Sequence, residues 1–101
     1  MYVVIWAFRP RPGREAEFEA AYGPGGAWDA LFRGSADFLG TELLRAADGT
    51  GLYLTIDRWA GQAAYDAFRV DRGAEYDALD RACAGLTESE VRVGAFDHLG
   101  G

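Results

Sequence analysis

A chain of 101 residues supports a single hydrophobic core, which excludes a separate cofactor domain and leaves one domain over residues 1–101 as the expectation. Half of the residues are apolar and 14% aromatic, while sixteen Asp and Glu against ten Arg, with no Lys, set a formal charge of −6; nucleic acid and anionic membrane surfaces are disfavoured as partners. Cys83 is the only cysteine, which excludes an internal disulfide or a thiolate metal cluster, and no apolar run approaches the roughly 20 residues of a membrane span.

The first predicted strand is Tyr2 to Arg9, apolar at Val3, Ile5 and Ala7 on one face and at Tyr2, Val4, Trp6 and Phe8 on the other. Such a strand belongs in the middle of a sheet, covered on both sides. Its N-terminus has neither a basic n-region nor a small-residue cleavage site, so with the lone cysteine the expected location is the cytoplasm. Pro10 and Pro12 end the strand. A helix carrying Phe18, Ala21 and Tyr22 follows, Gly23-Pro24-Gly25-Gly26 interrupts it, and Trp28, Leu31 and Phe32 resume helical spacing.

Phe38 to Arg45 reads as a second strand, with Gly40 marking a bulge or a close approach. Asp48-Gly49-Thr50-Gly51 has the chemistry of a hairpin turn. From Leu52, the alternation of Leu54 and Ile56 with Tyr53, Thr55, Asp57 and Trp59 predicts a third strand, again with two covered faces. Behind Gly61 the period changes, and Ala64, Tyr65 and Phe68 fall on one helical face. Asp71-Arg72-Gly73 breaks that pattern. Tyr76, Leu79, Cys83 and Leu86 then mark another helix, and Glu90 to Asp97 the last strand, with Val91, Val93 and Ala95 inward and Glu90 and Arg92 outward.

Strand, helix, strand, hairpin, strand, helix, strand is the order of an α+β ferredoxin-like fold, βαββαβ, with an antiparallel sheet and helices on one face. The other sheet face must meet something else, and a second copy of the chain is the simplest cover.

Gly40-Thr41-Glu42-Leu43-Leu44-Arg45, Tyr53, Arg58-Trp59 and Ala64-Tyr65-Asp66-Ala67-Phe68 together resemble the antibiotic biosynthesis monooxygenase-like (ABM) family over nearly the whole chain. The resemblance implies a dimeric α+β barrel, a homodimer with two sheets packed face to face. It also implies one of the family's activities: cofactor-free oxygenation of polycyclic phenols and anthrones, or haem degradation. Trp59 and Tyr65 match a Trp and a Tyr that line the pocket of the quinone-forming oxygenases. The pocket Asn of the oxygenases and haem degraders has no counterpart, because the chain contains no Asn, and the only His is His98 rather than a residue of the helix after Trp59.

Cofactor-free oxygenation needs a dry aromatic pocket, a proton acceptor and a group that stabilises the substrate anion. The catalytic candidates are Tyr65 as hydrogen-bond partner of the substrate oxygen, Trp59 as stacking wall, Arg58 at the oxyanion, and His98, whose ordinary pKa lies near neutrality, as general base. Trp6, Tyr53, Thr55, Phe68 and Arg72 complete the expected substrate site, with Thr55 or Tyr53 in place of the missing amide. Each has a structural counterpart: Trp59 as a core plug, Arg58 paired with Glu42 or Asp57, and His98 solvated in the tail. No His or Cys pair has metal-ligand spacing and Gly49-Thr50-Gly51 lacks the helix of a dinucleotide loop, so no cofactor is expected. Two other classes of function stand beside the oxygenase: a non-catalytic dimeric module binding a small apolar or aromatic molecule, and a haem-binding or haem-degrading protein.

Overall fold

The two-sided apolar alternation of the first strand is realised in a computed structural model, which describes residues 1–100. The elements run β1 (Tyr2–Pro10), α1 (Glu15–Tyr22), α2 (Ala27–Phe32), β2 (Phe38–Arg45), β3 (Tyr53–Trp59), α3 (Gln62–Asp71), α4 (Gly73–Cys83), a 3-10 turn at Ala84–Leu86 and β4 (Thr87–Asp97). The sheet order is β2-β3-β1-β4, every neighbouring pair antiparallel, so the two strands with apolar residues on both faces are the central ones. This is the ferredoxin-like α+β arrangement expected from the element order, each of its helical crossovers being split in two.

Directly opposed residues share a face of the sheet, and the register therefore assigns the sides. Tyr2, Val4, Trp6 and Phe8 of β1 lie opposite Trp59, Asp57, Thr55 and Tyr53 of β3. This is the face beneath the helices, where Phe18, Tyr22, Trp28, Phe32, Phe68, Cys83 and Leu86 descend to complete the core. The opposite face carries Val3, Ile5 and Ala7 with Leu54, Ile56 and Leu44, and Val91 and Phe96 from β4. No helix covers it, and Leu44, Val91 and Phe96 are exposed there.

The last strand departs from simple alternation. Ile5 pairs with Gly94 while Trp6 pairs with Arg92, so Val93 is the extra residue of a bulge. A bulge exchanges the faces on either side of it. Ala95 packs on the core as expected, but Val91 and Val93 are 60% and 51% exposed, and Glu90 occupies the helix side opposite Phe8. The inward assignment of Val91 and Val93 and the outward one of Glu90 and of Arg92, which lies opposite Trp6, are thus corrected. The strand also begins at Thr87, opposite Pro10, rather than at Glu90.

Two glycines are required by geometry. Gly40 has φ +137° at the bulge between Phe38 and Gly40, a conformation side chains rarely adopt. At Gly26, a Cβ would sit 2.3 Å from the Ala20 carbonyl oxygen and 2.6 Å from that of Ala21. That close approach folds α2 back against the end of α1 and swings Trp28 over the sheet. The hairpin between β2 and β3 is closed by the Thr50 N–H donating to Asp48 Oδ1 at 3.0 Å and the Ala46 N–H to the Leu52 carbonyl at 2.8 Å. No helix among the described residues is long and apolar enough to cross a membrane.

Candidate functional site

A cavity lies between the sheet and the helices. Its floor is Trp6 and Phe8 of β1, Thr55 and Asp57 of β3, Thr41 of β2 and Glu90 of β4; its roof is Tyr22 of α1, Trp28 and Phe32 of α2, and Tyr76 and Asp80 of α4. The aromatic walls are interlocked: Trp28 meets Tyr76 edge-on at 4.9 Å between ring centroids, Tyr22 at 6.0 Å and Phe32 at 5.8 Å, while Phe8 lies 4.8 Å from Tyr22. The space open to the centre of a water-sized sphere is about 50 Å³. A neighbouring cleft of about 250 Å³, bounded by Ala84, Thr87, Glu88 and Ser89, shares Asp80 and Glu90 with it.

Asp57 is the chemically distinctive residue. Its position on β3 points it to the helix side among Trp6, Thr55 and Val4, where it is half-buried. Thr41 Oγ1 donates to Asp57 Oδ1 at 2.6 Å. Burial pushes this carboxyl up to about 6; the Thr41 hydrogen bond opposes the shift and the Asp29 charge adds to it. Asp29 is itself 4% exposed, its Oδ2 accepting the Gly25 N–H at 2.7 Å and its Oδ1 lying 3.0 Å from Arg33 Nε.

The phenols of the wall are held neutral. Burial raises Tyr76 to about 12, with Asp80 and Asp57 adding to the shift and Arg69 opposing it. Burial also raises Tyr22 beyond its ordinary value, reinforced by Cys83, Glu90 and Asp80. Glu90 is raised by burial and by Asp80. The indole N–H of Trp28, a residue 8% exposed, faces the Tyr22 hydroxyl and the Cys83 sulfur and favours their ionised forms, opposing the effect of burial on both. The cavity thus offers one carboxylate poised near neutrality, two threonine hydroxyls and two neutral phenols, all set in aromatic walls.

Of the nine residues singled out from the sequence, Trp6 and Thr55 line this cavity. Trp59 is fully buried behind it, with ring centroids 5.0 Å from Phe38, 5.5 Å from Phe32, 5.5 Å from Tyr65 and 5.2 Å from Phe68. Phe32 is the shared partition between that aromatic cluster and the cavity. Tyr65 packs on Tyr2 at 5.7 Å and accepts a 3.1 Å hydrogen bond from Arg69 Nη1. Phe68 is buried in the core, and the buried ring of Tyr53 packs on Phe18 while its hydroxyl donates to Glu19. Arg58 pairs with Glu42 on the uncovered face of the sheet. Arg72 lies against Gly34, whose Cβ position is 3.1 Å from Arg72 Nη2. His98 is exposed past the end of β4, its backbone N–H donating to the Met1 carbonyl at 2.9 Å.

The cavity residues outside that set are Asp57, Thr41, Tyr22, Trp28, Phe8, Phe32, Tyr76, Asp80 and Glu90. Asp57 carries a signal in the sequence: it is the one charged residue on a strand face otherwise occupied by Tyr53, Thr55 and Trp59. Glu90 carries none, because the bulge at Val93 inverts its apparent side. Among the described residues no group of three or more His, Cys, Asp or Glu is placed to hold a metal ion.

A ferredoxin-like sheet with an aromatic cavity under its helices defines a small α+β domain. The model of the family described as antibiotic biosynthesis monooxygenase matches residues 1–72, and the chain belongs to that family. Solved structures share the fold. SnoaB, a cofactor-independent oxygenase from Streptomyces nogalater, is 24% identical with a TM-score of 0.73, covering 99% of this chain and 94% of its own. Rv0793 from Mycobacterium tuberculosis is 24% identical with a TM-score of 0.71 over 99% of this chain and 96% of its own. PA3566 from Pseudomonas aeruginosa is 19% identical with a TM-score of 0.69 over 98% and 94%. No functionally curated protein matches the chain by sequence.

Proposed function

We propose that the protein is a cofactor-independent monooxygenase acting on a small flat phenol- or anthrone-type substrate, with Asp57 as the general base. The observation that carries this reading is a carboxylate raised to about 6 inside an aromatic-walled cavity, since a base whose pKa lies near the working pH is the one best matched to remove a phenolic proton. Family membership supports the monooxygenase class.

Asp57 takes the substrate O–H proton, and the electron-rich anion reduces dioxygen at the ring carbon para to that oxygen. A C–O bond forms there, the C–H proton is lost, and the O–O bond breaks. One oxygen atom stays as the new carbonyl of a quinone and the other leaves with two hydrogens as water. The aromatic walls exclude bulk water from the anion. Thr55 supplies a neutral hydroxyl donor for the substrate oxygen, while the single Thr41 O–H stays on Asp57. Trp6 stacks on the ring, while Trp59, Tyr65 and Phe68 hold Phe32, and so the wall, from behind.

The test is oxygen uptake followed with quinone absorbance for metal-free protein and a panel of phenols, hydroquinones and anthrones, run beside Asp57→Asn. Turnover that falls about 10²–10⁴-fold in the variant supports the assignment. Equal rates in both proteins remove Asp57 from the mechanism. No turnover across the panel leaves a non-catalytic binding module.

We also propose that the protein is a homodimer through the uncovered sheet face. Ile5, Leu54 and Ile56 at its centre, with exposed Leu44, Val91 and Phe96 around them, form a continuous apolar surface of the kind a soluble monomer rarely leaves open. Two such faces packed together complete an α+β barrel.

A further inference from the structure

The cavity is small for the ligands its aromatic walls suit. Its space open to the centre of a water-sized sphere is about 50 Å³, whereas a dry apolar cavity of about 150 Å³ encloses one benzene molecule. A single ring therefore fills it and keeps one edge at the mouth. An anthrone reacts at its middle ring, so both outer rings would have to enter with it.

The walls are held against retreat. The floor is the sheet itself, with Trp6 and Phe8 on β1 and Thr55 and Asp57 on β3, the two central strands. In the roof, Phe32 is backed by Phe38, Trp59 and Phe68 at 5.3, 5.5 and 5.5 Å between ring centroids. Trp28 is wedged between Phe32, Tyr22 and Tyr76, and its helix is tied down where Asp29 takes the Gly25 N–H and meets Arg33. Interiors packed ring on ring open only at a cost to those contacts. Tyr76 differs in being half-buried where Tyr22, Trp28 and Phe32 are buried. Its ring is held from two sides: Trp28 stands edge-on to it at 4.9 Å, and the Arg69 guanidinium, which donates to the Tyr65 hydroxyl, lies over it at 3.9 Å.

We propose that the cavity takes a phenol of one ring and rejects fused rings, with Tyr76 as the residue that sets this limit; the inference rests on the monooxygenase site proposed above and names its substrate class. The ring enters hydroxyl edge first, toward Asp57 and Thr55, with one face on Trp6 and the other beneath Trp28 and Tyr76. Its para carbon is then at the mouth, where dioxygen reaches it. Tyr76 lies beyond residues 1–72 that match the family model, so membership of the family is silent on this limit.

The experiment is titration calorimetry with 3-methylphenol and 1-naphthol, both with a free para carbon. Apolar area alone favours 1-naphthol, whose second ring buries more surface, so plain adsorption to an aromatic surface predicts the opposite of the proposal. The expected result is 3-methylphenol tighter by about tenfold or more, and this order is expected to invert in Tyr76→Ala and to persist in Tyr76→Phe, which keeps the ring. A loosened fold would weaken both ligands alike, whereas inversion of their ratio requires space for the second ring. Circular dichroism verifies folding, and Tyr76→Leu, a strong helix former that keeps an apolar contact with Trp28, replaces the alanine variant if that one unfolds. Equal affinities, tighter binding of 1-naphthol by wild type, no binding of either probe, or an order unchanged in the folded variant would overturn the proposal. Oxygen uptake is measured separately with the same probes and anthrone. Size-ordered binding without uptake leaves this inference standing and removes the oxygenase; turnover of anthrone, with binding that tightens as rings are added, does the reverse.

Discussion

Asp57 concentrates the residue-scale consequences. Its carboxyl moves from an ordinary 3.8 to about 6 on folding, so the folded protein holds that proton more tightly than the unfolded chain does. Stability is therefore greatest with the group protonated, declines as pH rises from about 4 to about 6, and stays reduced above that window. Asp57→Asn removes the penalty, and chemical denaturation is expected to show a gain of up to about 3 kcal/mol at pH 7 that disappears toward pH 4. The same variant loses activity, the exchange expected where a destabilising group serves function. In wild type the rate falls as pH drops through about 6. Thr41 and Asp29 act on this carboxyl directly, and Thr55, Tyr22, Tyr76, Asp80 and Glu90 are the other polar groups of its cavity. Thr41→Val removes the hydrogen bond that favours ionisation, so the acid limb of a pH–rate profile is expected to move upward, a shift that simple loosening of the fold would not produce.

At the scale of elements, the cavity depends on how the helices are hung over the sheet. The corner between α1 and α2 leaves no room for a Cβ at Gly26, and Gly26→Ala is expected to cost about 1–3 kcal/mol by forcing the two helices apart. Thermal denaturation measures that loss, and weaker ligand binding accompanies it because Trp28 and Phe32 ride on α2. Trp59, with no exposed surface, anchors α3 and α2 to the end of β3 through Phe68 and Phe32. Trp59→Ala is expected to cost about 3–5 kcal/mol in the same measurement. The Arg58–Glu42 pair stands in contrast: it is exposed, and breaking it is expected to change the stability of the isolated chain by less than about 1 kcal/mol.

Over the whole molecule, the sheet separates the face that floors the cavity from the uncovered face proposed for the dimer. The proposed dimer buries the latter, and Ile56→Asp places a charge at its centre. Sedimentation velocity is expected to show a monomer for that variant, with a midpoint of unfolding that no longer depends on protein concentration. The cavity lies within one chain on the opposite face, so ligand binding is expected to survive in the monomer to the extent that the sheet stays folded.

How much of this is legible in the residues follows from the range over which the signals act. Periodicity is local, so the order of the elements, the central place of β1 and β3, the glycine corner before Trp28 and the bulge at Gly40 are all readable along the chain. The family resemblance rests on such local runs as well. By contrast, the cavity takes its lining from four strands and three helices, and no short window contains Tyr22, Trp28, Asp57, Tyr76 and Glu90 together. Two strand tryptophans on the same sheet face, Trp59 and Trp6, end on different sides of Phe32, one sealed in the core and one facing the cavity. Arg58 neighbours Asp57 in sequence yet belongs to the other face of the sheet. For Val91, Val93 and Glu90 a single inserted residue in β4 reverses the side read from alternation. The sequence by itself determined the α+β fold, its βαββαβ order and the presence of an apolar sheet face without helices, because these follow from hydrophobic period and turn chemistry. Only the tertiary structure decided which carboxylates share a cavity and which rings wall it, because burial and charge at a site are sums over residues that folding alone brings together.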